Sequence, residues 1–421
     1  MSNQTSRSSS VLQPEFAATL KTRHRLGKLW RFIFQLSTIF GILVLTLLML
    51  TILNNVAGYV AIESTVDPAS LAVDGNPLEK LDKDTLVGIL QANVSAGLFR
   101  QINREKPIEE QSQDEIYTLI MEKVVKPKVV DTWQLAESIF RRSEVLAQAA
   151  QKYPNATITF KFWLNTNFLS NPQSANPLIA GIRTANLGSL YVIFITILIA
   201  LPVGVGAAIY LEEYASDNWF NRLIQTNITN LAGVPSIIYG MLGLALFVRT
   251  LEPLTSGAIF GVPVDPTTAN GRTIFSASLT LAILILPLLI INGQEAIRAV
   301  PNSLREASYG VGATKWQMIW HHILPNAIPG ILTGTILAIS RAIGETAPLV
   351  VIGAATYITF DPEGAFSKFT TLPIQIYQWT SRPQDVFRNL AAGGILVLLA
   401  LLLSVNAVAI LLRNRQSTPK S

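Results

Sequence analysis

Apolar residues along this chain collect into six runs long enough to cross a bilayer, with one long segment of a different character after the first. The runs are 32–53, 187–211, 228–248, 275–291, 327–353 and 391–412. A spanning helix needs about 20 such residues, so the pattern predicts six transmembrane helices. Several runs carry Pro or Gly inside: Pro202, Pro235, Pro287, Pro348 and the Gly204/Gly206 pair. Helices in a packed bundle tolerate these, because neighbours re-satisfy the freed backbone groups and small residues permit close approach.

Between the first two runs, charges recur every few residues and no stretch can span a membrane. Apolar positions at helical intervals recur over 81–126 (Leu86, Ile89, Leu90, then Ile116, Leu119, Ile120) and again over 133–153. This predicts a mostly helical, water-exposed insertion, with Pro172 and Pro177 leading back into the membrane. Residues 1–20, rich in Ser, Gln and Thr, are expected to be disordered. A basic cluster follows: Lys21, Arg23, Arg25, Lys28 and Arg31. The first run resembles a signal peptide in its basic flank, but its apolar core exceeds the usual roughly 7–15 residues; it reads as an uncleaved span.

Composition agrees. Half of the 421 residues are hydrophobic and 14% are charged, against about 25% in soluble domains, and the mean hydropathy is +0.39. Residues 54–184 hold 13 Lys and Arg against 15 Asp and Glu, and the rest 19 against 12. The basic surplus beside apolar runs marks membrane topology, not nucleic-acid binding. With the N-terminus inside, the short cytoplasmic pieces hold 13 of the 18 Lys and Arg that lie outside the insertion and the fifth run. That predicts both termini in the cytoplasm and the insertion outside. The domain reading is a cytoplasmic basic tail at 1–31, a first span at 32–53, an external insertion at 54–184, a five-helix transmembrane domain at 185–412 with a cytoplasmic loop at 295–326, and a cytoplasmic tail at 413–421. The absence of cysteine excludes disulfides and thiolate metal sites. The three histidines have no ligand spacing, and no metal or other cofactor site is expected on this chain.

Two ionisable residues, Arg341 and Glu345, fall in the middle of the fifth run. A charge at that depth costs at least about 2.5 kcal/mol and is functional by default. Their spacing of four places both on one helical face, where each neutralises the other. The planar guanidinium fork also matches phosphate or carboxylate oxygens. Glu212 and Glu213, after the second run, read as a solvated helix end. Asn292, Gln294 and Glu295 lead into the cytoplasmic loop and are expected to pack against it. The external segment 366–388 reads either as a contact for a soluble partner or as an interfacial belt of Tyr377 and Trp379.

The loop between the fourth and fifth runs reads Arg305-Glu-Ala-Ser-Tyr-Gly-Val-Gly-Ala-Thr-Lys-Trp-Gln-Met-Ile-Trp-His-His-Ile-Leu-Pro325. It resembles the coupling motif of ABC importer permeases, with Glu306, Ala307, Gly312, Leu324 and Pro325 at matching positions. Ser308 replaces a second Ala, and His322 stands where Ile is usual, with Ile323 beside it. A short helix, a Gly bend and a second helix make a knob that fits a cleft of a soluble partner and transmits movement to the spans. Ser340-Arg-Ala-Ile-Gly-Glu-Thr-Ala-Pro-Leu-Val350, Gly188-Ser-Leu-Tyr191, Leu211-Glu-Glu-Tyr-Ala215, Gly233-Val-Pro-Ser-Ile-Ile-Tyr-Gly240 and Thr371-Leu-Pro-Ile-Gln-Ile-Tyr377 are similar to the permease of the phosphate ABC importer, in its PstA type. The resemblance covers the first run and nearly everything after residue 180, not the insertion.

That resemblance implies an all-α membrane protein with the six transmembrane helices of the type I ABC importer permease fold. It implies an ATP-driven importer of inorganic phosphate, in which this chain forms the path with a second related permease. An external phosphate-binding protein would deliver the anion, and two copies of a cytoplasmic ATPase would bind ATP and Mg. Arg341 and Glu345 would line the phosphate path, and Glu306, Ala307, Ser308, Gly312, Leu324 and Pro325 would dock the ATPase. No phosphate-cradling nucleotide loop occurs in the chain, so ATP hydrolysis is assigned to a partner and the chain is not an enzyme. Importers of phosphonate, sulfate or molybdate are the rival reading within the class. Outside it, an ion-driven secondary transporter leaves the 306–325 loop unexplained and lacks internal repeats, and a membrane sensor would use the 54–184 insertion to receive a signal with no solute crossing.

Overall fold

The computed structural model describes residues 14–417 except 74–75, 106, 263–270 and 355–356. It divides into two compact units, Met1–Asn54 and Asn55–Ser421. The described residues of the first unit belong to one helix, α1 (Pro14–Asn55). Ser37, Thr38, Thr46 and Thr51 donate their hydroxyls to the carbonyls four residues back, at 2.8–3.0 Å. Polar side chains are thereby satisfied on a surface that presents Phe34, Phe40, Leu45 and their neighbours outward. The expected disorder over 1–20 is corrected for its second part: helix begins at Pro14, where a missing N–H has no intrahelical partner to lose. Residues 1–13 lie outside the described residues.

In the second unit the insertion contains β1 (Ala57–Glu63), α2 (Lys83–Asn93), α3 (Ala96–Glu105), α4 (Gln113–Ile120), β2 (Lys128–Thr132), α5 (Leu135–Phe140), α6 (Arg142–Lys152), β3 (Thr157–Phe162) and α7 (Thr166–Ser170). The helices α2 to α6 fall within the two stretches where the periodicity placed them, and α7 lies outside both. The three-stranded antiparallel sheet, ordered β2-β1-β3, was not anticipated. Leu86, Leu90, Ile116, Ile120 and Val125 form one core of the insertion. One face of the sheet, through Val60, Ile62 and Val129, joins a second core with Trp163, Phe168, Ile182, Trp379 and Phe387. The insertion therefore shares its core with elements that follow residue 180.

Those elements are α8 (Arg183–Ile209), continued by a π turn to Tyr214, α9 (Trp219–Ala232), α10 (Ser236–Gly243), continued by π turns to Thr250, and α11 (Glu252–Thr255). Then come α12 (Ile274–Arg298), α13 (Asn302–Gly310), α14 (Lys315–Met318), α15 (Leu324–Gly344), α16 (Ala347–Ile352), α17 (Leu372–Thr380) and α18 (Val386–Ser417). Among the described residues five helices are long and apolar enough to cross a membrane, and α9 with the helix from Ser236 to Thr250 makes a sixth if that bent pair is one span. The central member is α12, on which Ser276, Ser278 and Thr280 are all buried. Each of these hydroxyls bonds a backbone carbonyl, and Ser278 reaches across to Val192 of α8 at 3.1 Å.

Two expected spans are broken. The 228–248 run bends by 107° between α9 and α10. Gly233, Val234 and Pro235 intervene: the proline ring disfavours helix at the preceding residue and has no N–H to continue the ladder. The 327–353 run stops at Gly344, because Glu345 takes an extended conformation (ψ 119°) two residues ahead of α16.

Candidate functional site

The two breaks meet. Gly240 of α10 lies so close to α16 that a Cβ there would stand 2.6 Å from the Cα of Pro348. Glycine is required by that approach. Tyr239 beside it is buried with Ala338 and Ala342 of α15. Its hydroxyl donates to the Leu231 carbonyl at 2.7 Å, a second bond on an acceptor that Val234 N also reaches where α9 ends. Interrupted spans whose backbone is satisfied by protein line cavities and ion paths in membrane proteins.

Arg341 stands in the last turn of α15, beside this junction. One side of that helix (Ala327, Ile331, Thr335, Ala338, Ala342) is buried. The stripe formed by Asn326, Gly330, Thr333, Leu337, Arg341 and Gly344 is exposed. The stripe is unusually polar and small for a face at this depth. Arg341 Nε lies 3.4 Å from Glu345 Oε1, and the two side chains are 38% and 18% exposed. The predicted pairing is present, but not on one helical face: Glu345 lies past the helix end and folds back. Charge-assisted bonds of this kind normally measure 2.7–2.9 Å. Among the described residues the guanidinium has no other hydrogen-bond or ion-pair partner, so its remaining N–H donors are free. Its position near the C-terminal carbonyls of α15 also favours a cation.

The second charged cluster lies at the other end of α15. Asn302 opens α13, Gly312 turns the chain with φ 79°, and Thr314 and Gln317 form a capping box that starts α14. Glu306 and Ala307 are exposed on the outer side of α13. Ser308 is buried and donates to the Leu304 carbonyl at 2.7 Å. The chain then passes through a π turn, Ile319–Ile323, into α15, with Leu324 half-buried and Pro325 exposed in its first turn. The extra residue per turn explains the odd motif position: it leaves His322 outside and turns Ile323 into a core with Ala208, Ile297 and Met318. The knob's outer surface carries Tyr309, Val311 and the stacked pair Trp316–Trp320, ring centroids 5.5 Å apart.

Sequence reasoning missed what holds the knob. Glu212 and Glu213 are not a solvated helix end. Glu213 is 6% exposed and accepts from Arg305 Nε and Nη2 at 3.1 and 2.8 Å. Arg305 also donates to the carbonyls of Ile297 and Val300 and to Asn302 Oδ1. Glu212 receives Arg298 in bidentate fashion at 2.9 and 2.8 Å, and Lys315 lies over the Tyr214 ring. Two acidic residues opposite two arginines some 90 positions later was the available signal. The other expectations for the α12 end are corrected as well. Asn292 packs on Gly334 of α15, Gln294 exchanges bonds with Gln225 of α9 at 3.0–3.1 Å, and Glu295 is exposed. In the 366–388 segment Trp379 is fully buried against Phe168, so an interfacial belt there would keep Tyr377 alone of the two.

The profile of the family described as "Binding-protein-dependent transport system inner membrane component" matches residues 200–417, a stretch that holds both clusters and excludes the insertion. The Bacillus subtilis (strain 168) "Probable ABC transporter permease protein YqgI" is 33% identical over 260 residues, 58% of this chain and 82% of that protein. The Mycobacterium tuberculosis (strain H37Rv) "Phosphate transport system permease protein PstA 1" is 32% identical over 234 residues, 55% of this chain and 70% of that one. The Pasteurella multocida (strain Pm70) "Phosphate transport system permease protein PstC" is 37% identical over 195 residues, 44% and 60% of the two chains.

Proposed function

Because this chain belongs to the binding-protein-dependent transport system inner membrane components, we propose that it is the permease subunit of an ATP-driven importer of inorganic phosphate, embedded in the inner membrane with both termini in the cytoplasm. Relatives named as phosphate permeases of the PstA and PstC types support the substrate and a second, related permease as partner. An external binding protein delivers phosphate, and two copies of a cytoplasmic ATPase supply ATP hydrolysis. Each permease presents its knob to one ATPase, and in this chain Glu306, Ala307, Ser308, Gly312, Leu324 and Pro325 shape it.

The observation that carries the reading is the state of Arg341: a guanidinium in the last turn of an apolar helix, 38% exposed, held by a single 3.4 Å contact. A phosphate stripped of some water gains two parallel N–H donors there. Glu345 balances the arginine while the path is empty. When the anion arrives, the carboxylate repels it, and that repulsion keeps binding weak enough for release. The two broken spans let this happen: α15 ends at Gly344, just before Glu345, and movement of the knob at the far end of α15 is passed along one helix to the charge.

The test is phosphate uptake by the reconstituted complex, with and without ATP, for the wild type and Arg341→Ala. Uptake is abolished by the substitution while the subunits still co-purify. Import at the normal rate by the variant overturns the site. Competition by sulfate or molybdate as strong as by phosphate overturns the substrate.

A further inference from the structure

The insertion lies outside the family-matched residues, and its most exposed apolar feature is a corner between α5 and α6. The helix breaks at Arg141 (φ −123°, ψ 31°). Ile139 and Phe140 before the break are 60% and 85% exposed. Arg141 and Arg142 after it are exposed, with no ion pair among the described residues.

The covalent chain keeps the first rungs of the sheet, to which this corner is bonded, close to the end of the first spanning helix. The first spanning helix ends at Asn55, and β1 starts two residues later. Ala57 is paired with Phe162 and Tyr59 with Phe160 across the β1–β3 ladder. Trp133 N donates to the Tyr59 carbonyl, and Tyr59 N donates to Ser138 Oγ of α5, each at 2.9 Å. These bonds pin α5 to the first rungs of the sheet. At no more than about 3.3 Å per residue, Tyr59 lies within roughly 13 Å of Asn55. The polar headgroup layer is itself roughly 7 Å deep on each side of the hydrocarbon. Phe160 and Phe162, both about half exposed, lie on the sheet face opposite the one that joins the buried core.

We propose that the α5–α6 corner, with Phe160 and Phe162 beside it, docks on the lipid surface at the exit of the first span, Ile139 and Phe140 entering the headgroup–acyl boundary and Arg141 and Arg142 meeting lipid phosphates. Apolar side chains next to unpaired arginines are what an interfacial anchor requires: the apolar atoms bury shallowly while the charged heads stay at the phosphate level. A protein partner would be expected to offer carboxylates to those arginines; the bilayer is already present at that height. The inference is independent of which solute is carried.

The chain has no cysteine, so single labels are clean. Phe140→Cys, Phe162→Cys and, as reference, Lys128→Cys at the far end of the sheet (paired with Glu63) each receive one thiol-linked fluorophore. The full-length chain is then placed in vesicles containing nitroxide-labelled phospholipid. Fluorescence is lost at 140 and 162 and retained at 128. The loss at 140 weakens when Arg141→Glu and Arg142→Glu are combined, and more so in vesicles rich in anionic lipid. Quenching at 140 and 162 no greater than at 128 overturns the proposal. So does a label at 140 that becomes shielded only when soluble partner protein is added. Phe140 and Arg141 are exposed, so these substitutions leave the core intact.

Discussion

Arg305 and Arg341 bracket the same continuous piece of chain and live opposite lives. Arg305 is 17% exposed, and its guanidinium reaches Glu213 twice, two main-chain carbonyls and Asn302. Arg341 is more than twice as exposed and has one long contact. A buried arginine with every donor occupied fixes geometry, and it has nothing left to offer a solute. An arginine held loosely at membrane depth keeps its cost without its full compensation, which is the condition under which a passing anion can be the missing partner. The strength of the pairing, more than the presence of charge, separates the clamp on the knob from the pair that we propose as the site in the span.

The sharpest way to break this contrast is Glu213→Ala. It leaves the largely buried Arg305 guanidinium without its carboxylate, and removing one partner of a buried pair costs about 3–5 kcal/mol. The expected result is a large fall in the thermal unfolding temperature of the purified complex, with loss of the ATPase on co-purification, because the knob is no longer held to the end of α8. Unchanged stability and stoichiometry would mean that Arg305 is not a clamp. Glu306→Lys is the complement: the side chain is exposed, so stability is kept and attachment of the ATPase alone weakens.

Next in size is Gly240→Ala. The added Cβ would stand 2.6 Å from Pro348 Cα and 2.9 Å from its carbonyl oxygen, so α10 or α16 must shift; overpacking of this kind costs about 1–3 kcal/mol. Uptake should fall with stability, since the two breaks are set against each other by backbone contact. A variant that unfolds later than the wild type would show that the contact is slack. Glu345→Ala comes below this. A half-open pair is worth at most about 1 kcal/mol, so unfolding barely moves, while uptake falls because Arg341 loses the group that lets an anion leave. Equal stability losses for Glu213→Ala and Glu345→Ala would erase the distinction between the two arginines.

Much of this was legible in the chain. Long apolar runs announce spans because the bilayer imposes a minimum length, and the 306–325 spacing announces a helix–bend–helix because Gly312 and the Thr314 cap act locally. The two breaks were harder to read. Pro235 and Pro348 were visible, but apolar content is indifferent to a bend, so each run reads as one helix until the backbone around Glu345 and Gly233 is seen. The sheet hid for another reason: its strands are five to seven residues long, and only β3, Thr157-Ile-Thr-Phe-Lys-Phe162, alternates in period two. Glu213 was misread because its partner lies 92 residues away, and pairing at that range is a property of packing, not of local pattern.

Lys161, in the insertion, sharpens the contrast with a third kind of cation, one that has no carboxylate partner among the described residues. Its Nζ donates to the Leu178 carbonyl at 3.0 Å and sits 4.7 Å from the Trp163 ring centre. Burial lowers its pKa from the ordinary 10.5 to about 8, because loss of water penalises the charged form and a carbonyl and a ring repay only part of it. Between those two values the unfolded chain holds a proton that the folded chain has released. Stability therefore rises with pH across the window from about 8 to 10.5, and it is lowest, and flat with respect to this group, once both forms are protonated below about 8. Lys161→Met keeps the aliphatic stem and removes the titration, so it should abolish the rise between pH 8 and 10 and leave the protein at least as stable as the wild type at pH 7. Unfolding of the two chains, followed by hydrogen exchange of the β1–β3 amides at pH 7 and 9, reads this directly. Parallel curves for wild type and variant would show that Lys161 stays hydrated in the fold, and that a cation here needs neither clamp nor anion.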